Sequence, residues 1–440
     1  MLLVLALVCA MIISLAASML VPPGQEKAGS PADATPVHAR AYVSHAPIVV
    51  DNDSGLATQG WPGSGTSPDP YVISGFEIDG SGHESGIFIG NTTVVLIVSD
   101  NLVYGSSKGI CLLNVTGALI RNNSCTQCMH GIYLELSDGN NISDNSCYLN
   151  SGGVGIGLYS SSDNLLLNNA CTQNLWGISL VGSNSNPIAF NNCSSSEPMA
   201  RGITIDTSNN CTVAYNDCSG NAYQGIRLIN ECHNDTVTDN LCTHCGDGID
   251  LSMGPTDCTV AGNDCSWSNI TGIYLYQADR NLVDNNTCSS NDVDGIMVRE
   301  SDLNRISSNM IADNGRYGMD LAAWGGSTSD YNTIWNNSLI RNNGSGAVYN
   351  ASHVQAIDDG VSNEWSNGGY GNYWEDWLAP DVLPPTGTVD LPYNISGSAG
   401  AQDSSPMTTS TAIPEFGGMF LLVLLSMMVF VGSIARSRRP

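Results

Sequence analysis

The chain has 440 residues, of which 14 are Lys or Arg and 41 are Asp or Glu, so its formal net charge is −27. So negative a surface repels a phosphate backbone, which excludes nucleic acid as a partner. Charged residues make up only 12 % of the chain, and an acidic exterior rich in Asn and Gly suits a solvated extracellular protein that could collect divalent cations through its carboxylates.

The N-terminal region predicts export. Residues 1–21 are almost entirely apolar and include small residues suited to a signal peptidase, so we predict a signal peptide. An uncleaved N-terminal anchor is the alternative, because no Lys or Arg precedes the apolar run. Residues 22–45 are rich in Pro, Ala and Gly and predict a linker, and residues 46–85 predict an N-terminal cap with the first coil.

A repeat dominates residues 86–350. A Gly followed by an apolar residue returns mostly every 22 to 25 residues, and the sequence after it alternates apolar, variable, apolar, as in Gly131-Ile-Tyr-Leu. That alternation indicates a strand with one buried face. Two further apolar columns flank a column of Asn. One repeat cannot bury its own apolar face, so neighbours must stack. We predict an all-β, single-stranded parallel β-helix of about 12 coils, with three short strands per coil and a cap at each end.

The Asn column is expected to stabilise the stack. Equivalent residues in successive coils lie ~4.8 Å apart, so their amides can hydrogen-bond along the helix axis. The predicted ladder contains Asn123, Asn145, Asn169, Asn216, Asn240 and Asn263.

Eight cysteines replace aliphatic residues in the column two residues beyond the Asn. They are Cys125, Cys147, Cys171, Cys193, Cys218, Cys242, Cys265 and Cys288. We predict stacked, buried free thiols, because ~4.8 Å between coils exceeds the usual Cβ separation of a disulfide. A few strained disulfides or a soft-metal site near Cys232, His233 and His244 are the alternatives. The second Cys of each CxxC pair, Cys128 and Cys245, stands in a different Asn column, so the repeat itself explains that spacing.

Candidate functional residues lie on the outer face of the Gly-Ile strands. Arg227, Asp250 and Tyr274 occupy consecutive coils and, with Asp320, predict a sugar-binding patch. Glycoside hydrolysis needs two carboxylates roughly 5 to 9.5 Å apart. Asp247 and Asp294, two coils or ~9.6 Å apart, are therefore candidate catalytic residues, although a chain so rich in Asp produces such spacings by chance.

The C-terminal region predicts a cap, a stalk and an anchor. Aromatic residues in 351–395 are expected to cover the open end of the β-helix. Residues 396–413 are rich in Ser and Thr and predict a stalk. Residues 414–440 contain Pro-Glu-Phe, an apolar run and a final Arg cluster, which resembles archaeal sorting signals that are replaced by a lipid anchor; a transmembrane helix is the alternative.

A family resemblance rests on three features together. These are the Gly-Ile coils, the N-terminal motif Trp61-Pro-Gly-Ser-Gly-Thr, and the C-terminal motifs Gln355-Ala-Ile-Asp-Asp-Gly and Gly371-Asn-Tyr-Trp. Over about residues 46–395 the chain resembles NosD-type right-handed β-helix repeat proteins. The resemblance implies right-handed coiling and a domain type associated with carbohydrate binding and, in some members, copper delivery. It implies no fixed catalytic residues.

The sequence therefore predicts a non-catalytic cell-surface protein that binds glycans or forms part of the envelope. A polysaccharide hydrolase or lyase is the first alternative, and a NosD-like copper-binding or delivery protein is the second. The expected partners are cell-surface or extracellular polysaccharide and, through the C-terminal tail, the membrane. Ca²⁺ is the candidate cation, with copper a weaker one. Sequons such as Asn141-Ile-Ser permit glycosylation.

Overall fold

The computed structural model describes residues 42–150, 152–195, 197–346, 348–379, 381 and 387–410. The predicted signal peptide and the predicted sorting tail lie outside these residues. Within them, parallel strands from successive coils stack in three sheets, which confirms the all-β parallel β-helix. Among the described residues, no helix is long and apolar enough to cross a bilayer.

The first sheet is built from the Gly-Ile strands. Its 13 strands are parallel and in register, so each inward Ile lies above the Ile of the preceding coil. Ile226 and Leu228, for example, are completely buried, whereas Arg227 between them faces outward. The strands are Ile48–Val50, Ser85–Thr92, Lys108–Val115, His130–Glu135, Val154–Tyr159, Trp176–Val181, Arg201–Asp206, Gln224–Ile229, Asp247–Ser252, Thr271–Tyr276, Asp294–Arg299, Met319–Leu321 and Ala356–Asp358.

The second sheet holds the apolar residues that precede the Asn column. It has 12 parallel strands with one inward aliphatic side chain at the centre of most of them. The strands are Tyr71–Ser74, Leu96–Ser99, Ala118–Arg121, Asn141–Ser143, Leu165–Leu167, Pro187–Ala189, Thr212–Ala214, Thr236–Thr238, Thr259–Ala261, Leu282–Asp284, Arg305–Ser307 and Thr333–Trp335.

The third sheet is interrupted in the middle of the β-helix. Five strands form its N-terminal part and four its C-terminal part, and the coils between them pair through single bridges at Ala170, Asn192, Asp217, Leu241 and Asp264. The expected third strand is thus reduced to one bridging residue in these coils. The strands are Val43–His45, Phe76–Asp79, Leu102–Tyr104, Ser124–Thr126 and Ser146–Tyr148, then Thr287–Ser289, Met310–Ala312, Ser338–Ile340 and Tyr373–Trp374.

The Gly and Cys columns have one common cause. Each first-sheet strand begins where it packs against the third segment of the coil. A Cβ added to Gly131 would lie 2.5 Å from the carbonyl oxygen of Gly155 and 2.9 Å from the Cβ of Cys147. The Gly position therefore has no room for a side chain, and the position that faces it in the third segment of the coil suits a small apolar side chain. Cys147 and the seven equivalent cysteines fill that position with at most 1 % exposure.

The Asn side chains form the ladder in the described residues. Nδ2 of Asn123 donates to Oδ1 of Asn145 at 3.0 Å, and the same bond links Asn145, Asn169 and the later members at 2.9–3.0 Å. The residue before each ladder Asn has a left-handed backbone, which Asn122 and Asn168 tolerate. Phe190 and Tyr215 are unusual residues for that conformation, and their rings stack on one another at 5.2 Å.

Both ends are capped. At the N-terminal end a short helix, Asp53–Thr58, buries Leu56 completely. At the C-terminal end Trp374 stacks on Tyr393 at 3.9 Å, and Trp365 packs beside Trp374. This cap continues past the expected boundary at residue 395, because Tyr393–Asn394 pairs antiparallel with Gln402–Asp403. A single turn of 3₁₀ helix, Asn342–Gly344, precedes the cap.

Candidate functional site

The outer face of the first sheet brings the predicted sugar-binding residues together. Thr204 pairs with Arg227, Arg227 with Asp250, and Asp250 with Tyr274 in the register of successive strands. Asp320 lies three coils beyond Asp250 on the same column. The outward side chains therefore follow one line along the face, as the period-two pattern predicts.

Asp250 is held beneath Arg227. The carboxylate is 3 % exposed, its Oδ2 lies 3.1 Å from Nε of Arg227, and it accepts a hydrogen bond from the hydroxyl of Ser252. Burial raises the pKa of Asp250, and Ser252 and Arg227 oppose that rise. A buried carboxylate in this position orients the guanidinium rather than contacting a ligand itself. Tyr274 is half-buried and its ring packs beside Tyr276 at 6.3 Å.

Asp294 and Asp320 belong to a buried ionic network. Both are completely buried, and Nη2 of Arg316 contacts a carboxylate oxygen of each, with Nη2 of Arg299 also 2.5 Å from Asp320. The backbone N–H of Tyr317 donates to Asp294 at 3.0 Å. Neither carboxylate is exposed to a glycan, so Asp320 contributes to the face only through the arginines it positions. The sequence did not indicate this network, because Arg316 lies between strands, outside the repeat columns.

Asp247 stands apart from that network. It begins the strand Asp247–Ser252 and is two coils from Asp294, as predicted. Burial, reinforced by the nearby charge of Asp250, raises the pKa of Asp247 to about 6. Asp294 is buried and ion-paired with Arg316. Asp247 and Asp294 therefore do not form the pair of accessible carboxylates that an inverting hydrolase requires.

A groove opens on the same face, N-terminal to Asp250. Its volume is about 320 Å³, at the lower end of the range for small-ligand sites. Arg227 and Ile229, on one strand, form its C-terminal wall, and the remaining lining comes from the three preceding coils. The lining residues are Tyr159, Trp176, Ser179, Val181, Arg201, Thr204, Asp206, Arg227 and Ile229. We refer to this surface as the arginine groove.

Small residues produce the groove and aromatic residues wall it. Gly157 and Ser179 are the outward residues of adjacent strands, and they leave a depression in a column that elsewhere carries large side chains. The ring of Tyr159 lies over Gly157 and stacks on Tyr133 at 4.7 Å. Nζ of Lys108 lies 4.4 Å from the centre of the Tyr133 ring. The stacked rings of Tyr133 and Tyr159, together with the ammonium group of Lys108, therefore extend the groove towards the N-terminus.

Two polar atoms of the groove are buried and have no hydrogen-bond partner. They are Nε1 of Trp176 and Oγ1 of Thr204. Buried polar groups normally find partners. Two unpaired groups on one groove indicate a surface that is completed by a ligand.

The chain matches the family described as periplasmic copper-binding protein (NosD), over residues 71–200 and 194–379. It belongs to the NosD family. No curated protein matches it significantly. Solved structures similar to this NosD-family chain include the periplasmic alginate epimerase AlgG, with 14 % identity, a TM-score of 0.47, and coverage of 74 % of this chain and 84 % of that one.

Two further solved structures are similar. The mannuronan C-5 epimerase AlgE6 A-module of Azotobacter vinelandii has 11 % identity and a TM-score of 0.42, covering 72 % of this chain and 99 % of that one. A tailspike mutant of E. coli bacteriophage HK620 in complex with pentasaccharide has 13 % identity and a TM-score of 0.46, covering 67 % and 62 %. At these identities the similarity concerns the fold alone.

The copper in the family description does not fit the residues present. No group of three or more His, Cys, Asp or Glu side chains within the described ranges is arranged to hold a metal ion. The 14 described cysteines are free and buried. Burial raises the pKa of thiols such as Cys218 and Cys265 well above the usual value. In Cys193 and Cys242 of the same column, burial acts in the same direction, but hydrogen bonds with the neighbouring thiols outweigh it and lower the pKa to about 6.

The sequence pattern identified the face but not the groove. Arg227 was predicted, whereas Trp176, Arg201 and Thr204 were not. The available signal was the run of small outward residues at Gly157 and Ser179, next to a Trp. Periodicity shows which side chains face outward, but it does not show where they leave space.

Proposed function

We propose that this NosD-family chain is a non-catalytic cell-surface β-helix that binds glycans on the outer face of its first sheet. The arginine groove carries the proposal, because it combines aromatic walls at Tyr159 and Trp176 with unpaired buried donors. Aromatic faces pack against the apolar faces of sugar rings, and convergent polar groups fix the orientation of a ligand. Residues 414–440, which contain an apolar run and a final Arg cluster, anchor the protein in this proposal, with the β-helix outside the cell.

The state of the carboxylates on the first-sheet face supports a binding role. Asp294 and Asp320 are committed to arginines, and Asp250 is covered by Arg227 and Ser252. A hydrolase needs one carboxyl group to donate a proton and a second to act as base or nucleophile at the reacting carbon.

A glycan-array screen of the purified full-length protein tests this function. We expect binding to extracellular or envelope polysaccharides that is weakened at least about tenfold in Trp176→Ala, since that change removes one aromatic wall. Trp267→Ala is the matched control, because Trp267 is 58 % exposed and lies outside the groove. Failure to bind any glycan on the array would refute the proposal.

Polysaccharide cleavage is the second candidate, and Asp247 is the observation that favours it. A carboxyl group with a pKa of about 6 is a competent general acid close to neutral pH. This candidate predicts release of reducing ends, or of unsaturated products from a lyase, with activity abolished in Asp247→Asn. Binding without product release, across acidic and neutral glycans from pH 5 to 8, would eliminate it in favour of the binding role.

A further inference from the structure

The arginine groove contains two unpaired buried groups that can donate hydrogen bonds. The indole N–H of Trp176 can only donate, and the hydroxyl of Thr204 can donate as well. Leaving a buried polar group unpaired costs roughly 1–3 kcal/mol. A ligand that presents several acceptor oxygens close together therefore complements the groove best.

Two guanidinium groups stand on neighbouring coils of a chain whose net charge is −27. Arg201 begins the strand Arg201–Asp206, which pairs with the strand that carries Arg227. Arg201 donates from Nε to Oε1 of Gln224 at 2.8 Å and lies over the ring of Tyr223, and it makes no ion pair with a described carboxylate. Burial and the charge of Arg227 lower the pKa of Arg201, and the charge of Asp250 opposes them only in part.

Three carboxylates lie near this part of the surface, and each has a partner. Asp250 lies against Arg227, and Asp247 is hydrogen-bonded with the side chain of Gln224 on the adjacent strand. Asp206, at the edge of the groove, accepts hydrogen bonds from Nδ2 of Asn230 at 2.9 Å and from the hydroxyl of Thr207 at 2.8 Å. None of the three forms an ion pair with Arg201, so a place for a ligand anion remains beside it.

We propose that the ligand of the arginine groove is an acidic polysaccharide, with a sugar carboxylate bound between Arg201 and Arg227 and a ring packed against Trp176. The inference rests on the glycan-binding function proposed above and specifies its ligand class. Guanidinium groups bind carboxylates through paired, charge-assisted hydrogen bonds. A neutral sugar would satisfy the donors but leave Arg201 without an opposite charge.

Calorimetric titration of the full-length protein with an oligogalacturonate hexamer and with its methyl ester tests the inference, because the two probes differ only in charge. We expect the free acid to bind at least about tenfold more tightly, and its affinity to fall as salt is raised because the ion pairs are screened. Arg201→Gln should abolish the preference for the acid. Arg305→Gln, an exposed arginine on the second sheet, should leave it unchanged.

The outcomes separate the ligand class from the function. Equal affinity for the acid and the ester would overturn the acidic assignment and leave glycan binding intact. Binding of neither probe, together with an empty glycan array, would overturn both. Should Arg201→Gln fail to fold, the salt dependence of the unaltered protein decides; a preference for the acid that disappears at high salt supports the assignment, and one that is independent of salt counts against it.

Discussion

Asp235 replaces an Asn of the repeat, and one of its buried oxygens has no hydrogen-bond partner. It stands two residues before the inward aliphatic side chain of the second sheet, where the neighbouring coils carry Cys211 and Cys258 and other coils carry Asn164 or Asn281. Its Oδ1 still accepts from the backbone N–H of Cys211 at 2.7 Å, as an Asn does. Its Oδ2 is buried without a partner, because a carboxylate cannot make the donor bond of an amide. Burial consequently raises the pKa of Asp235 to about 7.

We expect Asp235→Asn to stabilise the protein above pH 7 and to have little effect near pH 4. Folded Asp235 keeps its proton up to about pH 7, whereas the unfolded chain loses it near pH 4, so the folded state binds more protons in that window. The free energy of unfolding therefore falls as the pH rises through it, by about 2–4 kcal/mol for this group. Urea unfolding of both proteins at pH 4.5 and 8 measures the difference. An equal effect at both pH values would show that Asp235 is not the titrating group.

The close packing of the Gly column gives a second prediction, about the effect of a single added methyl group on stability. A Cβ at Gly202 would lie 2.4 Å from the carbonyl oxygen of Gly225 and 2.9 Å from the Cβ of Cys218. Since the first contact is with backbone, Gly202→Ala should destabilise the protein by at least about 2 kcal/mol. Gly152→Ala is the control, because an added Cβ there meets nothing within 4 Å. Similar thermal midpoints for the two variants would contradict this packing.

At the scale of elements, the Asn ladder is the feature that joins one coil to the next. Asn216 accepts from the backbone and the side chain of Asn191, and it donates to Oδ1 of Asn240 at 3.0 Å. Its Nδ2 also donates to the carbonyl of Ile188 at 3.0 Å. The inward aliphatics, worth roughly 1.5–3 kcal/mol each, supply more stability, but they do not by themselves fix the register.

We expect Asn216→Ala to lower the free energy of unfolding by about 2–4 kcal/mol, because several buried groups in two coils lose their partners at once. The exposed Asn269 provides the control, and Asn269→Ala should change stability by less than about 0.5 kcal/mol. Chemical denaturation of both variants gives the comparison. Equal losses would mean that the ladder adds no stability.

Features that recur in every coil could be predicted from the sequence, whereas features that occur once could not. The Gly, Asn and Cys columns predicted strands, ladder and core, because one steric requirement recurs in every coil. The ionic network around Arg316 and the groove at Trp176 each occur once. They depend on side chains of different columns meeting across coils, which periodicity does not describe. The C-terminal cap likewise extends through the bridge between Tyr373 and Met407, two residues far apart in the sequence.

At the scale of the whole β-helix, binding is expected to be local. Each coil contacts mainly its neighbours, so a ligand on four coils leaves the remainder unchanged. Three basic residues of the first-sheet face, Lys108, Arg201 and Arg227, lie in or beside the arginine groove, and two of them form ion pairs, Lys108 with Glu84 and Arg227 with Asp250. The later coils likewise place Arg299 and Arg316 in ion pairs with buried Asp. Among these five residues, Arg201 makes no ion pair with a described carboxylate, so the charge available to a ligand lies at the arginine groove.

A crystal structure of the protein with a bound oligogalacturonate would show whether the arginine groove binds an acidic polysaccharide. We expect an oligosaccharide in the arginine groove, with a carboxylate within hydrogen-bond distance of Arg201 and Arg227 and a sugar ring against Trp176 or Tyr159. An oligosaccharide bound elsewhere, for example beside His244 and Trp267, with the arginine groove empty, would contradict it.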